Sequence, residues 1–195
     1  REPVRDADVN VLGGLRILER ALRQGVSRFV FASTGGAIYG EVPDGERAAL
    51  DWTPRPISPY ACSKFAFECY LAAHAATHGL KTHVLRYANV YGPRQDPHGE
   101  AGVVAIFSQR IVANEPIRIN ARREVGDDGC VRDYVYVADV VRTNLQAVNG
   151  EREPGVVHVG TGVGTSTRRL AEVLMARADR PVELTFGPRR PGDVE

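Results

Sequence analysis

The chain has 195 residues, 43% of them hydrophobic and 25% charged, a balance typical of a globular protein able to bury a sizeable core. Its 25 basic and 24 acidic residues give a net charge of +1, which makes no electrostatic case for nucleic acid or an anionic membrane. No apolar run approaches the ~20 residues that span a bilayer, and no basic-then-apolar signal opens the chain.

Residues 11–22 carry Val11, Leu15, Leu18 and Leu22 at helical spacing, and Gly25 follows as a stop. Residues 28–33 (RFVFAS) suit a buried parallel strand. Residues 41–57 hold three prolines and read as loop. Ser58 and Pro59 read as N-cap and first position of a helix to His78, closed by Gly79. A strand over 82–87 follows, then a loop over 92–102 and a helix over 103–113. Residues 116–120 and 131–137 read as strands and 138–148 as a helix. A strand at 156–159, a helix at 167–178 capped near Thr165 or Ser166, and a strand at 182–186 complete the pattern. Strands alternating with helices predict an α/β layered fold, in which ligands sit beyond the carboxyl ends of the strands.

That rule directs attention to Ser33 and Thr34 after the first strand, and to Tyr60-Ala-Cys-Ser-Lys64 after the proline-rich loop. Tyr60 and Lys64 are four apart, so they share one helix face. An ammonium near a phenol favours the phenolate, and such a phenol can exchange a proton with a sugar hydroxyl. The hydroxyl of Thr34 can join the same hydrogen-bond network and steady a developing alkoxide. A lone Tyr-x-x-x-Lys recurs by chance, and its plain alternative is an exposed helix pair.

The surroundings carry more. FVFASTGGAIYGE, SPYACSK, LRYANVYGPRQ, GVVAIF, VRDYVYVADV and RRPGDV occur in one order along nearly the whole chain. Together they resemble the extended branch of the short-chain dehydrogenase/reductases, the NAD-dependent epimerase/dehydratase family. The resemblance implies a partial Rossmann-type, doubly wound parallel sheet with a small interleaved substrate-binding lobe. The Rossmann-type core would hold residues 1–98 and 131–162, and the lobe residues 99–130 and 163–195.

It further implies Thr34, Tyr60 and Lys64 as the catalytic trio. Asn10, Ser33, Tyr60, Lys64 and Tyr87 would meet the cofactor. Thr34, Asn89, Val103, Val104, Asn120, Arg132, Arg190 and Asp193 would meet the sugar nucleotide, the arginines through fork-shaped contacts to phosphate. Core packing is the alternative for Tyr87, a solvated surface for Arg190 and a helix surface for Asn10.

The reaction implied is NAD-dependent epimerisation of a nucleotide-diphosphate sugar, UDP-glucose/UDP-galactose, with NADP left open as cofactor. Tyr60 would take the 4-hydroxyl proton as hydride leaves for the nicotinamide. The 4-keto sugar would turn over before hydride returns. A homodimer is a further implication. Alternatives are a dehydratase, decarboxylase or reductase of the same family, or a non-catalytic fragment or binding module.

Several features depart from the family pattern. The glycine loop GxxGxxG that grips pyrophosphate is absent from these residues, and the abrupt ends read as an incomplete chain. Gly35-Gly36 stand where dehydratases carry an Asp-Glu pair, which favours epimerase. Asn120 replaces a frequent aromatic residue, and residues 121–126 (ARREVG) differ from a shorter turn. Residues 160–164 (GTGVG) follow a strand and read as a tight turn.

Other constellations point away from metal. His74 and His78 are four apart but lack the intervening Glu of a zinc helix. Asp127-Asp128-Gly129 fails calcium-loop spacing and reads as a turn. Arg168-Arg169 read as helix surface. The three cysteines, Cys62, Cys69 and Cys130, show no CxxC, which suits a reducing cytoplasm without a zinc site or disulfide framework.

Overall fold

The computed structural model describes residues 2–97 and 102–190. The chain divides into two compact units. The first comprises residues 1–88 and 139–159, and the second residues 89–138 and 160–195.

The first unit opens with α1 (Pro3–Ala7), which passes through a π-helical segment (Asp8–Gly13) into α2 (Gly14–Arg23). Gly25 then turns the chain with a positive φ of 71°. Three parallel strands follow in the order β1 (Arg28–Thr34), β2 (Lys81–Tyr87) and β6 (Gly155–Val159). Between β1 and β2 lie the short α3 (Gly35–Ile38) and the long α4 (Pro59–His78). Helix α6 (Val137–Asn149) precedes β6.

The bounds of α4 follow from local chemistry. Ser58 Oγ accepts from the Ala61 amide at 3.2 Å, and proline at the first position needs no amide partner. At the far end Gly79 takes the left-handed conformation, and its N–H bonds Ala75 O at 3.1 Å. Phe67 and Leu71 of α4 pack with Leu18, Leu80 and Val84 into a core cluster that Leu15, Leu22, Phe29 and Phe31 flank. Phe29 and Phe31 alternate along β1, so both face the same side as Ser33.

The second unit holds β3 (Asn89–Tyr91), β5 (Val131–Tyr136) and β7 (Gly164–Ser166) as one sheet, with β5 central. Strand β3 is parallel to β5 and β7 antiparallel to it. A second pair, β4 (Ile117–Asn120) with β8 (Leu184–Gly187), is parallel. Helices α5 (Val103–Ala113) and α7 (Thr167–Ala178) cover Ile117 and Ile119 of β4, with Phe107, Ile111, Leu170 and Ala171 at the centre.

The division differs from the boundaries expected above. Residues 89–98 and 131–138 fall in the second unit because β3 bonds β5 and β5 bonds β7, while neither joins the β1-β2-β6 ladder. Among the described residues no helix is long and apolar enough to cross a membrane.

Candidate active site

Thr34 ends β1 and is nearly buried, where the chain turns into α3. As N-cap of α3 it makes no side-chain capping bond, so its hydroxyl is not spent on the helix it precedes. Tyr60 and Lys64 stand in the first turns of α4. Lys64 Nζ donates to Ala32 O at 3.0 Å, two residues before Thr34. The same ammonium lies 4.8 Å from the Phe31 ring centroid and 5.8 Å from that of Tyr60. One lysine therefore ties the Tyr-Lys turn of α4 to the carboxyl end of β1. Burial holds Lys64 below the ordinary lysine value, and the charge of Asp6 works against that shift. A lysine ammonium has three donors, and Ala32 occupies one.

Asn10 lies in the π-helical segment, where its amide donates to Asp6 Oδ1 at 3.0 Å. The other carboxylate oxygen of Asp6 is buried without a hydrogen-bond partner. Tyr87 ends β2 with its hydroxyl paired to the Asn144 amide of α6, the two contacts measuring 2.7 and 3.0 Å. Burial raises the Tyr87 phenol, and the Asn144 bond partly offsets it. That phenol is thus engaged within the core layer. The Ser33 hydroxyl is likewise engaged, because it donates to the buried Glu68 carboxylate.

The remaining sequence-derived candidates stand in the second unit. Asn89 opens β3 opposite Tyr134. Val103 and Val104 open α5 and lean on its apolar cluster. Asn120 ends β4 opposite Gly187. Arg132 faces Thr165 across the β5–β7 ladder, and its Nη1 bonds Val131 O at 2.8 Å. Arg190 is exposed beyond β8, and Asp193 lies outside the described residues.

The loop after Asn120 is more ordered than its turn-like sequence suggests. The Asp127 carboxylate accepts backbone N–H bonds from Arg122, Arg123, Glu124 and Gly129 at 2.8–3.1 Å. Burial would raise this carboxyl, yet the four amides outweigh it and bring it to about 2. Arg168, expected on a helix surface, instead bonds Gly126 O at 2.7 Å and stacks 4.9 Å from the Phe186 ring. Asp133 anchors the 160–164 turn, accepting from Thr161 N at 3.0 Å and Gly162 N at 2.8 Å.

A buried polar network escaped the motif reading. Glu68 and Arg86 form an ion pair at 2.6 Å with both side chains nearly inaccessible. Arg86 Nε also bonds both Glu68 oxygens at 3.2 Å, a fork-like grip. Arg86 Nη1 donates to the Tyr39 hydroxyl, which meets His158 Nε2 at 2.7 Å. Burial works to lower the Arg86 guanidinium, but Glu68 overrides it and holds it above its ordinary value. Burial and the Arg86 charge both hold His158 below its ordinary value. Removing one member of a buried pair strands a charge and costs about 3–5 kcal/mol. The sequence did carry a signal, since Tyr60, Lys64 and Glu68 repeat every fourth residue on one face. Its partner, eighteen residues further on, did not stand out.

Residues 1–160 match the NAD dependent epimerase/dehydratase family. The chain belongs to that family. The UDP-glucose 4-epimerase of Mycolicibacterium smegmatis is 43% identical over 197 residues, 99% of this chain and 60% of that protein. The Thermus thermophilus UDP-glucose 4-epimerase, solved in complex with NAD, superposes with a TM-score of 0.93 at 54% identity, covering 100% of this chain and 62% of that one. The Thermotoga maritima UDP-glucose 4-epimerase with UDP-glucose gives a TM-score of 0.88 at 48% identity, covering 100% of this chain and 61% of that one. This family member therefore has the Rossmann-like α/β fold of epimerase structures in part, and it spans about 60% of the length of the relatives it matches.

Proposed function

We propose that this chain is part of an NAD-dependent UDP-glucose 4-epimerase, in which Tyr60 moves the proton, Lys64 supports it and Thr34 orients the sugar. The observation that carries the reading is the docking of the Tyr60–Lys64 turn onto Ala32, beside Thr34. The donor set fits a nicotinamide nucleotide. Lys64 spends one N–H on Ala32 and retains two for ribose hydroxyls. When bound, NAD supplies the acceptor and donor of the sugar hydride.

The chain's own work is proton handling and position. Tyr60 accepts the proton of the 4-hydroxyl and returns it after the sugar has turned. The positive charge of Lys64 favours the phenolate that can do so. The Thr34 hydroxyl steadies the oxygen as charge develops on it. Asn89, Val103, Val104, Asn120, Arg132 and Arg190 hold the nucleotide half, and Asn10 buttresses Asp6 beside the lysine.

Epimerisation rather than dehydration accords with Gly35-Gly36, which put no carboxyl group beside Thr34 to expel water. A Cβ at Gly35 would stand 3.3 Å from Arg86 O, a tight approach, and 3.5 Å from Tyr87 O, an ordinary contact. A homodimer accords with the apolar side chains that α1, the π-helical segment and α2 expose, Val4 at 83% and Ile17 at 64% among them. A cytoplasmic setting accords with Cys62, Cys69 and Cys130 all being free thiols.

The test is interconversion of UDP-galactose and UDP-glucose by the full-length protein that carries this sequence, with Tyr60→Phe alongside. Turnover lost in Tyr60→Phe supports the proposal. Full turnover in that variant, or none in the parent, refutes it.

A further inference from the structure

In the sheet register, Ser33, Arg86 and His158 lie side by side across β1, β2 and β6. Neighbours in register project to one face of a sheet. On that face Glu68 from α4 spans Ser33 and Arg86, while Tyr39 spans Arg86 and His158. Glu68 sits one helical turn beyond Lys64, as Lys64 sits one beyond Tyr60. Lys64 holds the Ala32 carbonyl and Glu68 holds the Ser33 hydroxyl. Two successive residues of β1 are thus gripped by two successive turns of α4, immediately before Thr34.

We infer that Glu68 is a positioning residue for the epimerase chemistry: with Arg86 as its anchor, it uses Ser33 to fix Thr34 relative to Tyr60 and Lys64. The inference rests on the function proposed above. The β1–β2 ladder, which runs to Thr34, fixes the strand end within the sheet, and Lys64 gives α4 one polar hold on it. The second hold, at Ser33, sets how the turns of α4 that carry Tyr60 and Lys64 seat on that end. Glu68 can provide it because Arg86 satisfies its charge from the next strand, so the carboxylate is pinned from both sides. A guanidinium does not give up its proton in this range, so the row is a brace and not a proton wire to His158.

A brace differs from generic stability in what it does to turnover. Misplacing reacting groups by about 1 Å lowers rate ~100-fold. A group that acts only on the reacting geometry changes kcat and kcat/KM together and leaves KM alone. The same network provides an internal control. Tyr39→Phe deletes the hydroxyl between Arg86 and His158 but leaves the Ser33–Glu68–Arg86 grip intact.

The experiment compares Ser33→Ala, Glu68→Gln and Tyr39→Phe in the full-length protein, with UDP-galactose as substrate and temperatures well below each melting point. Ser33→Ala removes a single hydrogen bond and folds even if Glu68→Gln does not. We expect kcat in Ser33→Ala to fall ~10–100-fold, with KM within about twofold of the parent. Tyr39→Phe should keep kcat within about twofold even where its melting point falls. An active parent, an inactive Tyr60→Phe and a fully active Ser33→Ala would remove the brace and leave the epimerase reading standing. Loss of kcat in proportion to loss of melting point across all variants, Tyr39→Phe included, would also overturn it. No turnover by the parent would remove the proposed function and the brace together.

Discussion

Gly14→Ala should destabilise this protein, although glycine-to-alanine changes inside helices ordinarily stabilise. Gly14 opens α2, where an added Cβ would meet Phe67 Cε2 at 2.7 Å, Cδ2 at 2.9 Å and Cζ at 3.0 Å. The ring cannot step aside. Phe67 is 1% exposed, and Phe31 lies edge-on to it at 4.8 Å between centroids with Phe29 at 6.2 Å. Alanine gains up to about 1 kcal/mol in helix propensity. Overpacking a filled core costs about 1–3 kcal/mol. With the full propensity gain the net is a loss of up to about 2 kcal/mol, a fall of up to about 8 °C in Tm for a protein of this size. Urea unfolding followed by far-ultraviolet circular dichroism reads the first figure and a thermal scan the second. Phe67→Leu in the Gly14→Ala background makes room, so the two changes together should lose less than their sum by about 0.5–3 kcal/mol. A higher urea midpoint for Gly14→Ala, or strict additivity with Phe67→Leu, would refute the packing argument.

Three further outcomes follow from the same geometry. Asp127 contributes its stabilisation in full above its ordinary value of 3.8, and loses it as pH falls through the folded value of about 2. The amide shifts of Arg122, Arg123, Glu124 and Gly129 should titrate near that lower value in NMR spectra, and a midpoint at 3.8 would count against the cradle. Ser58→Ala removes the acceptor of the Ala61 amide and should cost about 1 kcal/mol in urea unfolding, with Ser58→Asn within a few tenths of the parent. Asp6→Asn takes away the charge that opposes the burial effect on Lys64, so the lysine should titrate at still lower pH when its Cε resonance is followed; an unchanged or higher titration would contradict that assignment.

Much of this was legible in local sequence. The bounds of α4 at Pro59–His78 and of α5 at Val103–Ala113 agree with the reading from caps and stop residues, because those signals act within a turn or two. The Tyr60–Lys64 pairing was legible for the same reason. Three-residue β3 was not, since Asn89-Val-Tyr91 is too short to show alternation and forms only through β5, more than forty residues away. The π-helical segment was hidden because Val11, Leu15, Leu18 and Leu22 keep helical spacing whether or not a turn holds an extra residue. Glu68 and Arg86 each look like a misplaced charge until the fold brings them together. The fold also withheld Ser33 and Tyr87 from easy assignment, since both hydroxyls have partners inside the protein.

The π-helical segment Asp8–Gly13 closes its turns over one residue more than an α-helix does. Deleting any one residue of it would let the backbone relax to ordinary α geometry without opening a break. The helix would survive, and because the wide turn had absorbed the extra residue, the segments on either side would keep nearly their angular phase. Asp6 would then stay on the flank from which its charge reaches Lys64. That one surplus residue is slack in the helix, and it can be lost without turning the start of the chain about the lysine.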